Sequence, residues 1–169
     1  AAMATALEKF EGVGRRFHAR GMLRIDGGSV MLVDDYAHHP RELAAVISAA
    51  RDGWPERRLV FAFQPHRYTR TRDLLDDFAR ELSTVDVLVL TDVYAAGEQP
   101  IAGADARALA RAIRAHGKVS PAVIEHPRDL ASILPGLLRD GDLLLLAGAG
   151  DIGASAVDLA ALGTLETTS

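Results

Sequence analysis

The sequence has 169 residues, 49% of them hydrophobic and 25% charged, with a formal net charge of −4, the proportions of one soluble globular domain with a sizeable core. No apolar run approaches the roughly 18–20 residues of a membrane helix and no charged-then-apolar leader opens the sequence, so no membrane partner is expected, and the acidic balance argues against nucleic acid. Cysteine is absent, which excludes disulfides, iron–sulfur clusters and thiol catalysis and leaves a reducing cytoplasm as the default compartment.

In chain order, Ala4–Phe10 reads as one or two helical turns and Gly12-Val-Gly-Arg-Arg-Phe17 as a glycine-punctuated loop. Met22–Ile25 and Ser29–Val33 flank Asp26-Gly-Gly28, a hairpin signal that predicts an antiparallel edge to the sheet. Short continuous apolar runs follow at Arg58–Phe63, Val85–Leu90, Pro121–Glu125 and Asp142–Leu146, as in buried parallel strands.

Between them lie helical periodicities. Pro40 opens one with Leu43, Val46, Ile47 and Ala50; Leu74, Leu75, Phe78 and Leu82 mark a second; Leu109, Ala112 and Ile113 a third, ended by Gly117. Pro127 opens a fourth, with Leu130, Ile133, Leu134, Leu137 and Leu138 on one face, and Gly150-Asp-Ile-Gly153 leads into a last helix through Leu162. The alternation predicts an α/β fold: a doubly wound, mostly parallel, Rossmann-like sheet with an antiparallel N-terminal edge hairpin. Residues 164–169 read as a frayed tail.

Ligands of open α/β sheets bind beyond the carboxyl ends of the strands. Those ends carry Asp34-Asp-Tyr-Ala-His-His-Pro40, Gln64-Pro-His-Arg-Tyr-Thr-Arg-Thr-Arg72, Asp92-Val-Tyr-Ala-Ala-Gly-Glu98 and Gly148-Ala-Gly-Asp-Ile-Gly153. That gathering of histidine, arginine and carboxylate at one edge predicts a site. Asp34, Asp35, His38 and His39 have the donor types of a metal cluster, but no second carboxylate-rich cluster accompanies them. The favoured reading is that one aspartate ends a strand, the other caps the next helix, and the group touches a ligand. Gly148, Gly150 and Gly153 satisfy Gly-x-Gly-x-x-Gly between a strand and a helix. Too little sequence follows for the strand that carries the ribose-binding acid of a dinucleotide site, which leaves a possible anion turn at Gly148 and Gly150.

Among the 19 basic residues only Lys9 and Lys118 are lysine. Genomic base composition accounts for most of the arginine, but His66-Arg-Tyr-Thr-Arg-Thr-Arg72 sets three arginines at a helix start, where the dipole disfavours cations. Either they pair with Asp73, Asp76 and Asp77, or they await an anion, as planar guanidinium forks do; the second reading is preferred.

Gly14-Arg-Arg-Phe17, Val33-Asp-Asp-Tyr-Ala-His-His-Pro40, Phe63-Gln-Pro-His-Arg-Tyr-Thr-Arg-Thr-Arg-Asp73, Val93-Tyr-Ala-Ala-Gly-Glu98, Gly103-Ala-Asp105 and Gly148-Ala-Gly-Asp-Ile-Gly153 occur in this order. Together they closely resemble the C-terminal domain of the Mur ligases of bacterial peptidoglycan synthesis, in the branch that joins L-alanine to UDP-N-acetylmuramate. The resemblance covers nearly the whole sequence, with Ala37 where glycine is usual and Asp151 where asparagine is usual.

The resemblance implies the following. Residues 1–14 are a remnant of the central ATPase domain or its linker, residues 15–163 the C-terminal domain, and 164–169 a tail. The phosphate loop of that central domain is not in this sequence, so the fragment alone is expected to be inactive, with no catalytic residue in the isolated domain and no cofactor held by it. The whole cytoplasmic enzyme uses ATP and Mg2+ to make an acyl phosphate that L-alanine attacks. Arg16 then meets the ATP phosphates and Asp35 the ribose, while His66, Arg67 and Arg70 hold L-alanine, with His38 and His39 as further substrate contacts. Two alternatives remain: a metal-dependent phosphoesterase built on the Asp/His cluster, and a non-catalytic nucleotide-binding module built on the glycine turn.

Overall fold

The structure is a computed structural model that describes residues 15–167. Seven strands form one sheet: β1 (His18–Ile25), β2 (Gly28–Asp35), β3 (Leu59–Phe63), β4 (Val87–Thr91), β5 (Ala122–Ile124), β6 (Leu143–Ala147) and β7 (Thr164–Leu165), in the order β5-β4-β3-β6-β2-β1-β7. Strands β2 to β6 pair in parallel where they are neighbours, and β1 runs antiparallel to β2. The helices are α1 (Pro40–Gly53), α2 (Tyr68–Asp73), α3 (Leu75–Leu82), α4 (Ala106–Ala115), α5 (Leu130–Ile133) and α6 (Ile152–Leu162).

The doubly wound architecture follows from the residue alternation in the central strands. In β3, Leu59, Phe61 and Phe63 join one buried cluster, and in β6 Leu143, Leu145 and Ala147 do the same, packed under α1, α3 and α4. Val60 and Ala62, with Leu144 and Leu146, face the other cluster, beneath α6 and the segment around α5. Successive side chains of a strand point to opposite faces. Both faces are therefore apolar, and the strands read as unbroken hydrophobic runs, as buried parallel strands do.

The structure departs from the sequence reading in four places. The helix expected from Pro127 is three short pieces: a 3-10 turn at Pro127–Asp129, α5, and a second 3-10 turn at Leu134–Gly136. Pro135 lacks the N–H that a continuing helix needs, so the segment tightens there, while Leu130, Leu134 and Leu138 still reach the core. The helix expected from Leu74 forms as α3, but a further helix, α2, precedes it and meets it at Leu74 (φ −118°, ψ 22°), so that residues 68–73 are themselves helical. The hairpin is not the outermost element, because β7 adds in parallel to β1 through Arg24–Thr164 and Ile25–Leu165. The expected frayed tail is thus a strand at residues 164–165, and the Thr167 amide and hydroxyl both donate to Asp26 across the hairpin turn. The turns expected at Ala4–Phe10, and the boundary at residue 14, lie outside the described residues.

Leu145 is fully buried at the centre of the sheet, paired on one side to Val33 and on the other to Phe61. Leu145→Ala should cost about 2–5 kcal/mol, read as a lowered urea midpoint with an unchanged slope.

Candidate functional site

Two adjacent carboxylates end β2 and face different jobs. Asp34 is fully buried. The Arg15 guanidinium grips it from Nε and Nη2 at 3.0–3.2 Å, and Arg20 Nη2 donates to its other oxygen at 3.0 Å. Arg15 Nη2 also donates to the Gly148 carbonyl at 2.9 Å, which ties the chain before β1 to the end of β6. Asp35 accepts from the amides of Phe17 at 2.6 Å and Ala37 at 2.7 Å. Burial pushes its carboxyl above the ordinary range against the pull of those two amides.

This arrangement revises two expectations. Neither aspartate caps α1; His39 does, with Nδ1 accepting from the Arg41 amide at 3.3 Å and the Glu42 carboxylate accepting from the His39 amide at 3.1 Å. A side-chain acceptor two residues ahead of an exposed amide, answered by a glutamate, is the geometry of a capping box. Nor do Asp34, Asp35, His38 and His39 converge: one faces two guanidiniums, one two amides, and one a helix end. Among the described residues no group of three or more His, Asp or Glu side chains is placed to hold a metal ion.

The second cluster is built by the loops after β3 and β4, which zip together. Tyr94 N–H donates to Pro65 O and Arg67 N–H donates to Tyr94 O, each at 2.8 Å. Arg67 sits at φ 72°, a conformation costly for a side-chain-bearing residue. It is held there by Tyr94 and by the Thr71 amide and hydroxyl, which both donate to its carbonyl. Glu98 clamps the start of α2 through the Thr69 amide and hydroxyl. Arg67 extends outward with a half-exposed side chain and only Glu98, 3.8 Å away, as an ionic neighbour. Arg70 donates from Nη1 to His66 Nδ1 and to the His66 carbonyl, both at 3.1 Å.

Four rings run across this edge. Tyr36 meets His38 edge-on at 5.1 Å, His38 lies 5.8 Å from His66, and His66 stacks on Tyr94 at 5.5 Å. Burial holds the His66 imidazole below its ordinary pKa, helped by the charges of Arg70, His38 and Arg67. The site residues read from the sequence are therefore brought together in part: His38, His66, Arg67 and Arg70 share one edge, and His39 is occupied as a cap. Arg16 is exposed. Asp35 has both oxygens engaged by main-chain amides. Arg72 pairs with Asp73 at 2.8 Å, so for that residue the ion-pair reading holds.

The glycine turn is shaped by packing. A Cβ on Gly150 would stand 2.6 Å from Gln64 Oε1 and from Tyr94 Cγ, and one on Gly153 2.5 Å from Arg15 Cζ. The Ile152 amide at the start of α6 already donates to Gln64 Oε1 at 3.0 Å, and the Gly148 amide to the Asp35 carbonyl. Sequence reasoning missed Arg15, Tyr36, Gln64, Tyr94 and Glu98. Tyr36 and Tyr94 stood inside the quoted strand-end motifs, so their position was a usable signal; nothing local distinguished Arg15 from Arg16.

No helix among the described residues is long and apolar enough to cross a membrane.

Because its folded pKa is lowered, His66 binds fewer protons in the native chain than in the unfolded one. Its contribution to stability is full above the unfolded pKa and is lost as pH falls from there through the folded value. In an NMR titration its midpoint should fall below the ordinary imidazole value of about 6.5. Arg70→Gln should raise the midpoint without restoring it fully, because burial remains.

A profile of the Mur ligase, glutamate ligase domain, matches residues 15–150. The chain is 60% identical over 163 residues to a UDP-N-acetylmuramate–L-alanine ligase of Stenotrophomonas maltophilia, covering 96% of this chain and 34% of that protein. It is 62% identical over 152 residues to the protein of the same name from Xanthomonas euvesicatoria, covering 89% and 32%. The crystal structure of a UDP-N-acetylmuramate–alanine ligase from Thermotoga maritima superposes with a TM-score of 0.70 at 27% identity over 96% of this chain and 33% of that one. The chain thus spans about a third of the length of the relatives it matches. With the doubly wound sheet and its strand-end loops, these matches place the chain in the Mur ligase family, as its C-terminal domain.

Proposed function

We propose that this chain is the amino-acid-holding, closing domain of a cytoplasmic ligase that joins L-alanine to UDP-N-acetylmuramate in peptidoglycan precursor synthesis. In this reading ATP phosphorylates the muramate carboxylate, the amine of L-alanine attacks the acyl phosphate, and phosphate leaves as the amide forms. In the whole enzyme, ATP with Mg2+ would be held by the domains that supply the phosphate loop; the described residues offer Mg2+ no ligand set.

The observation that carries the reading is the state of Arg67 and Arg70. Several other arginines of the chain are committed within it: Arg58 to Asp142, Arg51 to Asp86, Arg80 to Asp77 and Glu81. Arg67 is held in a strained backbone and directed outward, and Arg70 spends one guanidinium nitrogen on His66. Two fixed guanidiniums over one edge suit a carboxylate, which accepts from them in a bidentate fashion. An amino acid held by its carboxylate presents its amine at a defined place, and orientation of that kind supplies much of the barrier lowering in amide formation. A domain that closes over a neighbour also excludes water from an acyl phosphate.

Arg16 fits the nucleotide role by exposure and position. It leaves the protein between Arg15, anchored on Asp34, and Phe17, anchored on Asp35. An arginine with no partner among the described residues but a fixed base is suited to neutralising charge during phosphoryl transfer.

In the full-length ligase, Arg67→Ala and Arg70→Ala should each raise the KM for L-alanine at least about tenfold, from the loss of a charge-assisted hydrogen bond of about 1.5–3 kcal/mol, with the KM for ATP nearly unchanged. If neither moved the alanine KM, the carboxylate assignment would be wrong. Arg16→Ala should give the opposite split, weakening ATP use and acyl-phosphate formation and sparing the alanine KM. The 169-residue chain alone should form no product from ATP, UDP-N-acetylmuramate and L-alanine.

A further inference from the structure

His38 and His66 lie side by side, yet their hydrogen bonds demand opposite tautomers. Arg70 Nη1 stands 3.1 Å from His66 Nδ1. A guanidinium only donates, so His66 Nδ1 is the acceptor and the neutral ring carries its hydrogen on Nε2. His38 Nδ1 stands 2.9 Å from the Tyr36 carbonyl oxygen. A carbonyl only accepts, so His38 Nδ1 carries the hydrogen and its Nε2 holds a free lone pair. Arg20 Nε is the one fully buried side-chain nitrogen or oxygen without a partner among the described residues. Neither Nε2 is therefore sealed inside the protein, and neither has a protein partner among those residues. The edge presents a donor, His66 Nε2–H, and an acceptor, His38 Nε2, on rings 5.8 Å apart.

We propose that this polarity reads the two ends of the amino acid: His66 donates to its carboxylate beside Arg67 and Arg70, and His38 Nε2 takes a proton from its ammonium group. The inference rests on the function proposed above and adds a catalytic residue to it. An ammonium has no lone pair, so one N–H bond must break before attack. That proton passes to His38 Nε2, leaving a neutral amine and an imidazolium. The amine lone pair then forms the C–N bond at the acyl-phosphate carbon, the C–O bond to phosphate breaks with its electron pair, and the second proton leaves to phosphate or water.

The surroundings suit this division. A Glu42 carboxylate oxygen on α1 lies 3.8 Å from His38 Nδ1, so the cation formed at His38 faces a carboxylate. Among the described residues the other charged and titratable groups about the pair include Tyr36 and Tyr94, whose rings meet theirs, Arg67, Arg70 and Glu98 from the β3 and β4 loops, and Arg15, whose guanidinium lies 5.6 Å from the centre of the Tyr36 ring. Burial, and after it the arginines of the β3 loop, keep His66 neutral and a donor. Fixed cations disfavour an imidazolium at His66, which leaves His38 to take the proton.

Two measurements test the proposal. In the 169-residue chain, long-range nitrogen–proton NMR of the imidazoles should find the neutral His38 protonated on Nδ1 and the neutral His66 on Nε2; the reverse at His38 overturns the inference whatever the enzyme does. In the full-length ligase, His38→Gln keeps a polar group near the Nε2 position but cannot take up a proton. It should leave the alanine KM within about threefold and lower kcat about 10²-fold or more. The histidine-range acid limb of kcat/KM for L-alanine should vanish, replaced by a rate that climbs about tenfold per pH unit as free amine increases. His66→Gln, which still donates, should keep that limb. A His38→Gln enzyme with normal kcat and an intact acid limb overturns the proposal. If Arg67→Ala and Arg70→Ala raise the alanine KM in the same preparation, only the proton assignment has failed; if they too are silent, the site reading fails with it.

Discussion

The carboxyl edge of the sheet is organised around a carboxylate with no exposure to solvent. Asp34 ends β2 in the interior, where an unpaired charge would cost several kcal/mol and removal of one partner from a buried pair costs about 3–5 kcal/mol. The protein meets that demand with two guanidiniums, one from Arg15 and one from Arg20. Arg15 can reach only if the chain bends sharply between residues 15 and 17, and both Arg15 and Phe17 take positive φ. Asp35 holds the bend from the other side through the Phe17 amide, and the Phe17 ring stacks on Trp54 at the end of α1. Placement of Arg16, the path into β1 and the close packing of Gly153 under Arg15 all follow from how Asp34 is neutralised.

That dependence explains which features were legible in the sequence. The strands and their two-sided burial were, because continuous runs such as Leu143–Leu146 leave no polar face to expose. The hairpin was, because Asp26-Gly-Gly28 carries its turn chemistry locally. The break at Pro135 was readable in principle, since the missing N–H is a local fact; the unbroken leucine spacing from Leu130 to Leu138 concealed it, and three short turns keep the same leucines inward. The strand β7 was not legible, because two residues gain order only by adding to β1, a partner distant in sequence.

At the site the same division holds. Residue types at strand ends pointed to His38, His66, Arg67 and Arg70. The frame around them was set by contacts that no window contains: Arg15 with Gly148 across 133 residues, Gln64 with Ile152 across 88, Glu98 with Thr69 across 29. His39 and His38 are neighbours of one type in one motif, yet one accepts from a helix amide and the other donates to a carbonyl. The capping rules favour Asp or Ser at that position, and β2 had already claimed both aspartates for buried partners, so the cap fell to an imidazole.

The arginine excess can now be divided by physics rather than by count. Guanidiniums that meet a carboxylate within the chain at hydrogen-bond distance, such as Arg58 on nearly buried Asp142 with bonds of 2.7 and 3.0 Å, close the fold. Arg67 and Arg70 have their backbone fixed while their charge is left without a close carboxylate. Holding Arg67 at φ 72° costs of order 1–3 kcal/mol, and the zip of the β3 and β4 loops supplies the restraint. A conformation of that cost, with only a 3.8 Å approach to Glu98 among the described residues to set against it, suits the preorganised anion site proposed above. Burial first, and then the cations of the same loop, oppose protonation of His66. In the proposed function the guanidiniums that would meet a carboxylate thus also help keep the neighbouring imidazole neutral, and one of them, Arg70, sets its tautomer.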